Sequence, residues 1–140
     1  VEDRVQADIN RATDATRKAV VLLVEDEFMI RWTTAAFLRE AGYVVIEAEN
    51  AADARIVLGS GATVDIVFTD VNLPGGDSGS MLAEWLQVHH PDLPVLITSG
   101  TVSLPAAALG DARRFLSKPY VLEELPALIE SMLQRPRSST

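Results

Sequence analysis

Ala19-Val20-Val21-Leu22-Leu23-Val24 runs straight into Glu25-Asp26-Glu27: six apolar residues without a break, then three carboxylates. A short unbroken apolar run of this kind is the pattern of a strand buried on both faces, as in a parallel sheet covered by helices. A helical stretch follows, with Ile30, Thr34, Phe37, Leu38 and Ala41 on one face and Gly42 to stop it in a left-handed C-terminal conformation.

The same alternation repeats down the chain. Tyr43 to Glu47 reads as a second strand and Ala51 to Leu58 as a second helix, closed by Gly59-Ser60-Gly61. Ile66-Val67-Phe68-Thr69 is a third buried strand running into Asp70, and after Leu73-Pro74-Gly75-Gly76 a third helix spans Ser78 to His90, bounded by Pro91 and Pro94. Val95 to Thr98 and Arg114 to Ser117 are strands four and five. A short Ala-rich piece around Leu104 to Gly110 lies between them, and Val121 to Leu133 forms the closing helix. Five strands alternating with helices through short loops predict a parallel sheet with helices on both faces, a doubly wound α/β fold.

The chain has 140 residues, a formal net charge of −8 and no cysteine. That length is one domain, too short for a conventional DNA-binding output domain as well, so its function is self-contained or delivered to a partner. The acidic balance, with a pI of about 4.6, favours attraction of metal ions and opposes the counterion release that drives nucleic-acid binding. Disulfides and thiolate metal sites are excluded. No apolar run approaches the roughly 18 residues of a membrane span, so no membrane association is expected and a cytoplasmic location is the default expectation. The polar residues 1–18 read as an N-terminal arm or linker, and a start at Val1 suggests a fragment or a processed form.

In doubly wound folds ligands bind at the carboxyl ends of the strands, near the point where strand order reverses. Strand one ends in Glu25 and Asp26, strand three in Asp70, strand four in Ser99 and strand five in Lys118-Pro119. Crowded carboxylates call for a cation, and hard oxygen donors suit Mg²⁺ or Mn²⁺. An Asp beside such an ion can attack a phosphoryl donor, with a hydroxyl and a lysine neutralising the phosphoryl oxygens. Taken singly these features are weak: Glu25-Asp26 suits a solvated helix start, Ser99-Gly100 a turn and Lys118-Pro119 a strand-to-helix junction. Their joint order at four strand ends is what carries weight.

Val24 to Glu27, Asp65 to Gly75, Pro94 to Gly100 and Phe115 to Pro119 resemble the four signature segments of response-regulator receiver domains, a likeness extending over residues 19–134 and leaving 135–140 as a tail. The resemblance implies a flavodoxin-like sheet of order 2-1-3-4-5. It further implies Asp70 as the phosphoacceptor, Asp26 as a direct Mg²⁺ ligand, Glu25 acting through water, and the Asn72 carbonyl as another ligand. Ser99 and Lys118 would contact the phosphoryl group, Ser99 and Phe115 would switch on phosphorylation, and Asn72 and Thr101 would tune dephosphorylation. A histidine kinase or histidine phosphotransfer protein would donate, a further protein would receive the signal, and a homodimer is possible. Such a chain is a signalling switch rather than an enzyme. The alternative is a receiver-like interaction module that works without phosphorylation, and the lack of a glycine-rich phosphate loop after strand one speaks against a nucleotide or flavin enzyme.

Three departures stand out. Glu25 occupies a position where Asp is commoner. Thr101 to Asp111, with Pro105 inside it, leaves room only for a short or irregular fourth helix. Tyr120 adds a hydroxyl where many relatives have Phe. Adjacent His89-His90 lack the spacing of a helical metal site, Trp32, Trp85 and Met81 read as packing residues, and Arg113-Arg114 with the Arg135 to Arg137 tail are too few for a nucleic-acid patch.

Overall fold

The computed structural model describes residues 17–73, 79–100 and 112–134. Five strands, β1 (Val20–Val24), β2 (Val44–Ala48), β3 (Ile66–Asp70), β4 (Val95–Ser99) and β5 (Arg113–Ser117), form one parallel sheet in the order β2-β1-β3-β4-β5. The helices are α1 (Phe28–Glu40), α2 (Ala51–Gly59), α3 (Gly79–His89) and α4 (Leu125–Leu133), the last entered through a 3-10 turn, Leu122–Glu124. Pro126 in the first turn of α4 lacks a backbone N–H where none is needed. The expected arm, the fourth-helix segment with Thr101, and the tail fall on residues outside those described, apart from Arg17 and Lys18.

Strand alternation divides the interior into two cores. Leu22, Val24, Val67, Val95 and Ile97 face Ala51 and Ala54 of α2 and Leu82 and Leu86 of α3. Val21, Leu23, Val45, Ile66, Phe68 and Leu96 face Ala35 and Leu38 of α1 and Leu125, Ile129 and Met132 of α4. Successive strand residues point to opposite faces, so continuous apolar runs supply both layers. Asn50 caps α2, its Oδ1 accepting from the Asp53 N–H at 2.7 Å, and Gly42 ends the α1 turn at φ +106°.

Some side chains differ from expectation. The inner stripe of α1 is Arg31, Thr34, Ala35 and Leu38, while Ile30 and Ala41 are exposed and Phe37 is half-buried. The helix is rotated because Arg31 finds enough polar partners to be taken inside. Trp85 packs on the α2/α3 core with His89 and His90 rings at 4.6 and 5.6 Å, but Trp32 and Met81 are exposed, each lying off its helix's buried stripe rather than in the core. The strand beginning at Arg113 splits the arginine pair. Arg113 is buried, donating to the Leu93 carbonyl at 2.9 Å, with burial lowering its pKa, and Arg114 points outward.

Candidate functional site

β1 has β2 on one side and β3 on the other, so the chain reverses direction across the sheet between β1 and β3. The carboxyl ends of those two strands carry Glu25 and Asp70, and the crevice that doubly wound folds use for ligands opens there. Asp70, the last residue of β3, is 6% exposed. Its Oδ2 accepts from Lys118 Nζ at 2.7 Å, and its Oδ1 accepts from the Asn72 N–H at 2.9 Å. Asp70 and Lys118 are 48 residues apart in sequence and two strands apart in the sheet. The Lys118 N–H donates to the Ser99 carbonyl at 2.9 Å, extending the β4–β5 ladder one residue past the strand and fixing the base of the lysine.

Glu25 is as buried as Asp70, and Asp26 beside it is exposed. Burial pushes the Glu25 carboxyl above its ordinary value, the Glu27 N–H at 3.0 Å draws it partway back, and the charge of Asp70 pushes it up again. Burial works to lower the Lys118 ammonium, but the hydrogen bond and charge of Asp70, joined by the charge of Glu25, outweigh it and hold it above its ordinary value. Lys118 is therefore paired with Asp70 and feels Glu25 through its charge, with Asp26 adding a third acid at the rim.

No group of three or more carboxylate or imidazole side chains is arranged to hold a metal ion among the described residues. Mg²⁺ nevertheless takes few protein ligands and keeps several waters. Hard oxygen donors at Glu25, Asp26 and Asp70, with a deficit of positive charge between the two buried ones, fit such an ion by their chemistry.

Ser99 is buried at the end of β4, beside Lys118. Phe115 is half-buried and packs on the α2/α3 core, on the opposite face of the sheet from Tyr120. The Tyr120 ring meets Phe68 edge-on at 6.0 Å, on the α1/α4 side of the sheet. Burial is the main reason its pKa is raised. Thr101 lies outside the described residues.

Sequence reasoning missed Arg31, whose Nη1 donates to the Glu25 carbonyl at 2.9 Å. The signal was present: stepping back from Leu38 through Thr34 at helical spacing reaches position 31, the same inner stripe.

The model of the response regulator receiver domain family matches residues 21–130. The chain is 36% identical over 135 residues to the sensor kinase CckA of Brucella abortus, a match covering 91% of this chain and 14% of that protein. It is 32% identical over 131 residues to the DNA-binding transcriptional regulator NtrC of Escherichia coli K12, covering 87% of this chain and 28% of NtrC. A crystal structure of a response regulator receiver protein from Sinorhizobium medicae superposes with a TM-score of 0.74 at 27% identity, over 83% of this chain and 94% of that one. This chain therefore spans a small part of the two curated relatives. Among the described residues no helix is long and apolar enough to cross a membrane. With its sheet order, its strand-end acids and the Asp70–Lys118 pair in place, the chain belongs to the response regulator receiver domain family of two-component systems.

Proposed function

We propose that this receiver accepts a phosphoryl group on Asp70 from a phosphohistidine of a histidine kinase or histidine phosphotransfer protein, in a reaction that depends on Mg²⁺ or Mn²⁺. The observation that carries the reading is the 2.7 Å contact between Lys118 Nζ and Asp70 Oδ2 at the mouth of the β1/β3 crevice. A carboxylate oxygen has lone pairs beyond the one each neighbour occupies, so Asp70 can attack phosphorus while the donor's P–N bond breaks. Lys118 and the backbone N–H of Asn72 hold the carboxylate in one orientation, which is most of what phosphoryl transfer asks of a protein. Glu25, Asp26, Asp70 and the Asn72 carbonyl would hold the divalent ion, which when bound neutralises charge on the phosphoryl oxygens.

On this reading the new phosphoryl group competes with Asp70 for Lys118, Ser99 supplies a hydroxyl at its edge, and Phe115 is the aromatic whose rearrangement carries the change to the surface. The chain is a switch that promotes only its own phosphorylation and dephosphorylation, signalling to a downstream protein in the cytoplasm. Incubation with acetyl phosphate, with and without Mg²⁺, followed by intact mass measurement tests it. A metal-dependent phosphoryl adduct absent from Asp70→Asn supports the reading. No adduct with any donor, a phosphorylated histidine protein included, would replace it with an interaction module that works without phosphorylation.

A further inference from the structure

Behind the acidic turn after β1 stands a buried arginine that contacts neither Asp70 nor Lys118. Arg31 is 8% exposed on the inner stripe of α1. Its Nη1 donates to the backbone carbonyl of Glu25 at 2.9 Å, its Nε donates to Glu47 Oε1 at 3.2 Å, and its Nη2 lies 3.9 Å from Glu49 Oε1. The Phe28 ring lies over the guanidinium, 5.5 Å from its carbon. Glu47 is held in turn by Arg39 Nη2 at 3.1 Å, which also donates to the Val45 carbonyl.

Glu25 is thereby tied at both backbone groups. Its N–H donates to the Ala48 carbonyl at the end of β2, and its C=O accepts from Arg31. The carbonyl of Glu25 belongs to the peptide plane it shares with Asp26, so the arginine orients the link between the two acids. A charge-assisted bond to a buried carbonyl is among the stronger hydrogen bonds available, and planar guanidinium donors fix direction where an ammonium does not.

We infer that Arg31 is a positioning residue for phosphoryl acceptance: by holding the Glu25–Asp26 peptide from behind, it aims both carboxylates toward Asp70 and sets the affinity of the crevice for a divalent cation. The inference rests on the aspartyl-phosphate reading above and extends it to a residue outside the reacting groups. A merely structural role, pinning edge strand β2 to α1, would change the melting temperature and leave cation affinity alone.

The full chain as wild type, Arg31→Gln, Arg31→Lys and Glu47→Gln separates the two by calorimetric Mn²⁺ binding, well below each protein's melting temperature. Loss of such an outer partner typically weakens metal binding by about 10- to 100-fold. That loss is expected for Arg31→Gln, with a smaller one for Arg31→Lys, which keeps the charge but cannot reach Glu25 and Glu47 together. Glu47→Gln, which leaves the bond to Glu25 intact, is expected to stay within about 3-fold of wild type even where it melts earlier. Wild-type Mn²⁺ affinity in Arg31→Gln, or in Arg31→Lys should the Gln variant not fold, overturns the inference while wild-type phosphorylation still stands. Failure of the wild type itself to form the adduct removes the underlying reading, and the inference with it.

Discussion

The two ends of the sheet handle their carboxylates in opposite ways. At the amino edge, Asp65 accepts from Arg17 at 2.8 and 2.9 Å and from the Val20 N–H at 2.7 Å, so its carboxylate has a donor on each oxygen. There too the Tyr43 hydroxyl donates to Glu130 at 2.7 Å, joining α4 to the start of β2. At the carboxyl edge Lys118 pairs with Asp70, and Glu25 sits beside them in an environment that resists its ionisation. One edge gives each of its acids a donor of its own and so stabilises the fold. The other keeps a surplus of negative charge, which costs stability in the free protein and is useful only if something positive, or a phosphoryl group and its counter-ion, arrives.

Substitutions at the two edges should therefore separate chemistry from stability. The largest effect is expected from Asp70→Asn: the metal-dependent phosphoryl adduct disappears altogether by intact mass, while the chain still folds. Lys118→Ala is next, slowing adduct formation by about 100-fold, the scale seen when one preorganised charged donor is removed from a developing phosphoryl charge. A rate within a few-fold of wild type would show that Lys118 only partners Asp70 at rest.

Asp65→Ala tests the other end. It removes the acceptor of Arg17 and of the Val20 N–H and is expected to cost about 2 kcal/mol by urea unfolding, with the phosphorylation rate unchanged. If adduct formation slows as well, the two edges are coupled and the contrast fails.

Tyr43→Phe should cost about 1 kcal/mol at neutral pH. Burial, then the bond and charge of Glu130, raise the Tyr43 hydroxyl above its ordinary 10.0. The folded state thus holds that proton more tightly than the unfolded chain, and its contribution is complete below pH 10.0 and lost as pH climbs beyond it. The wild-type advantage over Tyr43→Phe is therefore expected to shrink in alkali.

The smallest effect has the opposite sign. Glu25→Gln is expected to stabilise the metal-free protein at neutral pH by roughly 0.5–2 kcal/mol. Its raised pKa means that folding favours the protonated acid, so the stability Glu25 allows is present below its ordinary 4.5 and lost as pH rises through the raised value. The gain from Gln should accordingly vanish below about pH 4.5, and a variant no more stable than wild type at pH 7 would show that Glu25 bears no such cost.

Much of this molecule was legible before any coordinates. The apolar runs of β1, β3 and β4, the helices between the strands and the acids, hydroxyl and lysine at the strand ends follow from local patterns, because a central strand buried on both faces is largely apolar and stops where polar groups begin. The boundaries of β2 and β5 moved by one residue each, enough at β5 to bring Arg113 inside. Tertiary structure alone decided which polar groups are buried. Arg31 goes in and Ile30 stays out, Glu25 is buried and Asp26 exposed, and Trp32 and Met81 face outward. A charged side chain can leave water only when donors and acceptors from distant parts of the chain meet it, and those partners, the Glu25 carbonyl and Glu47 for Arg31, are assembled by the sheet and carry no local signature.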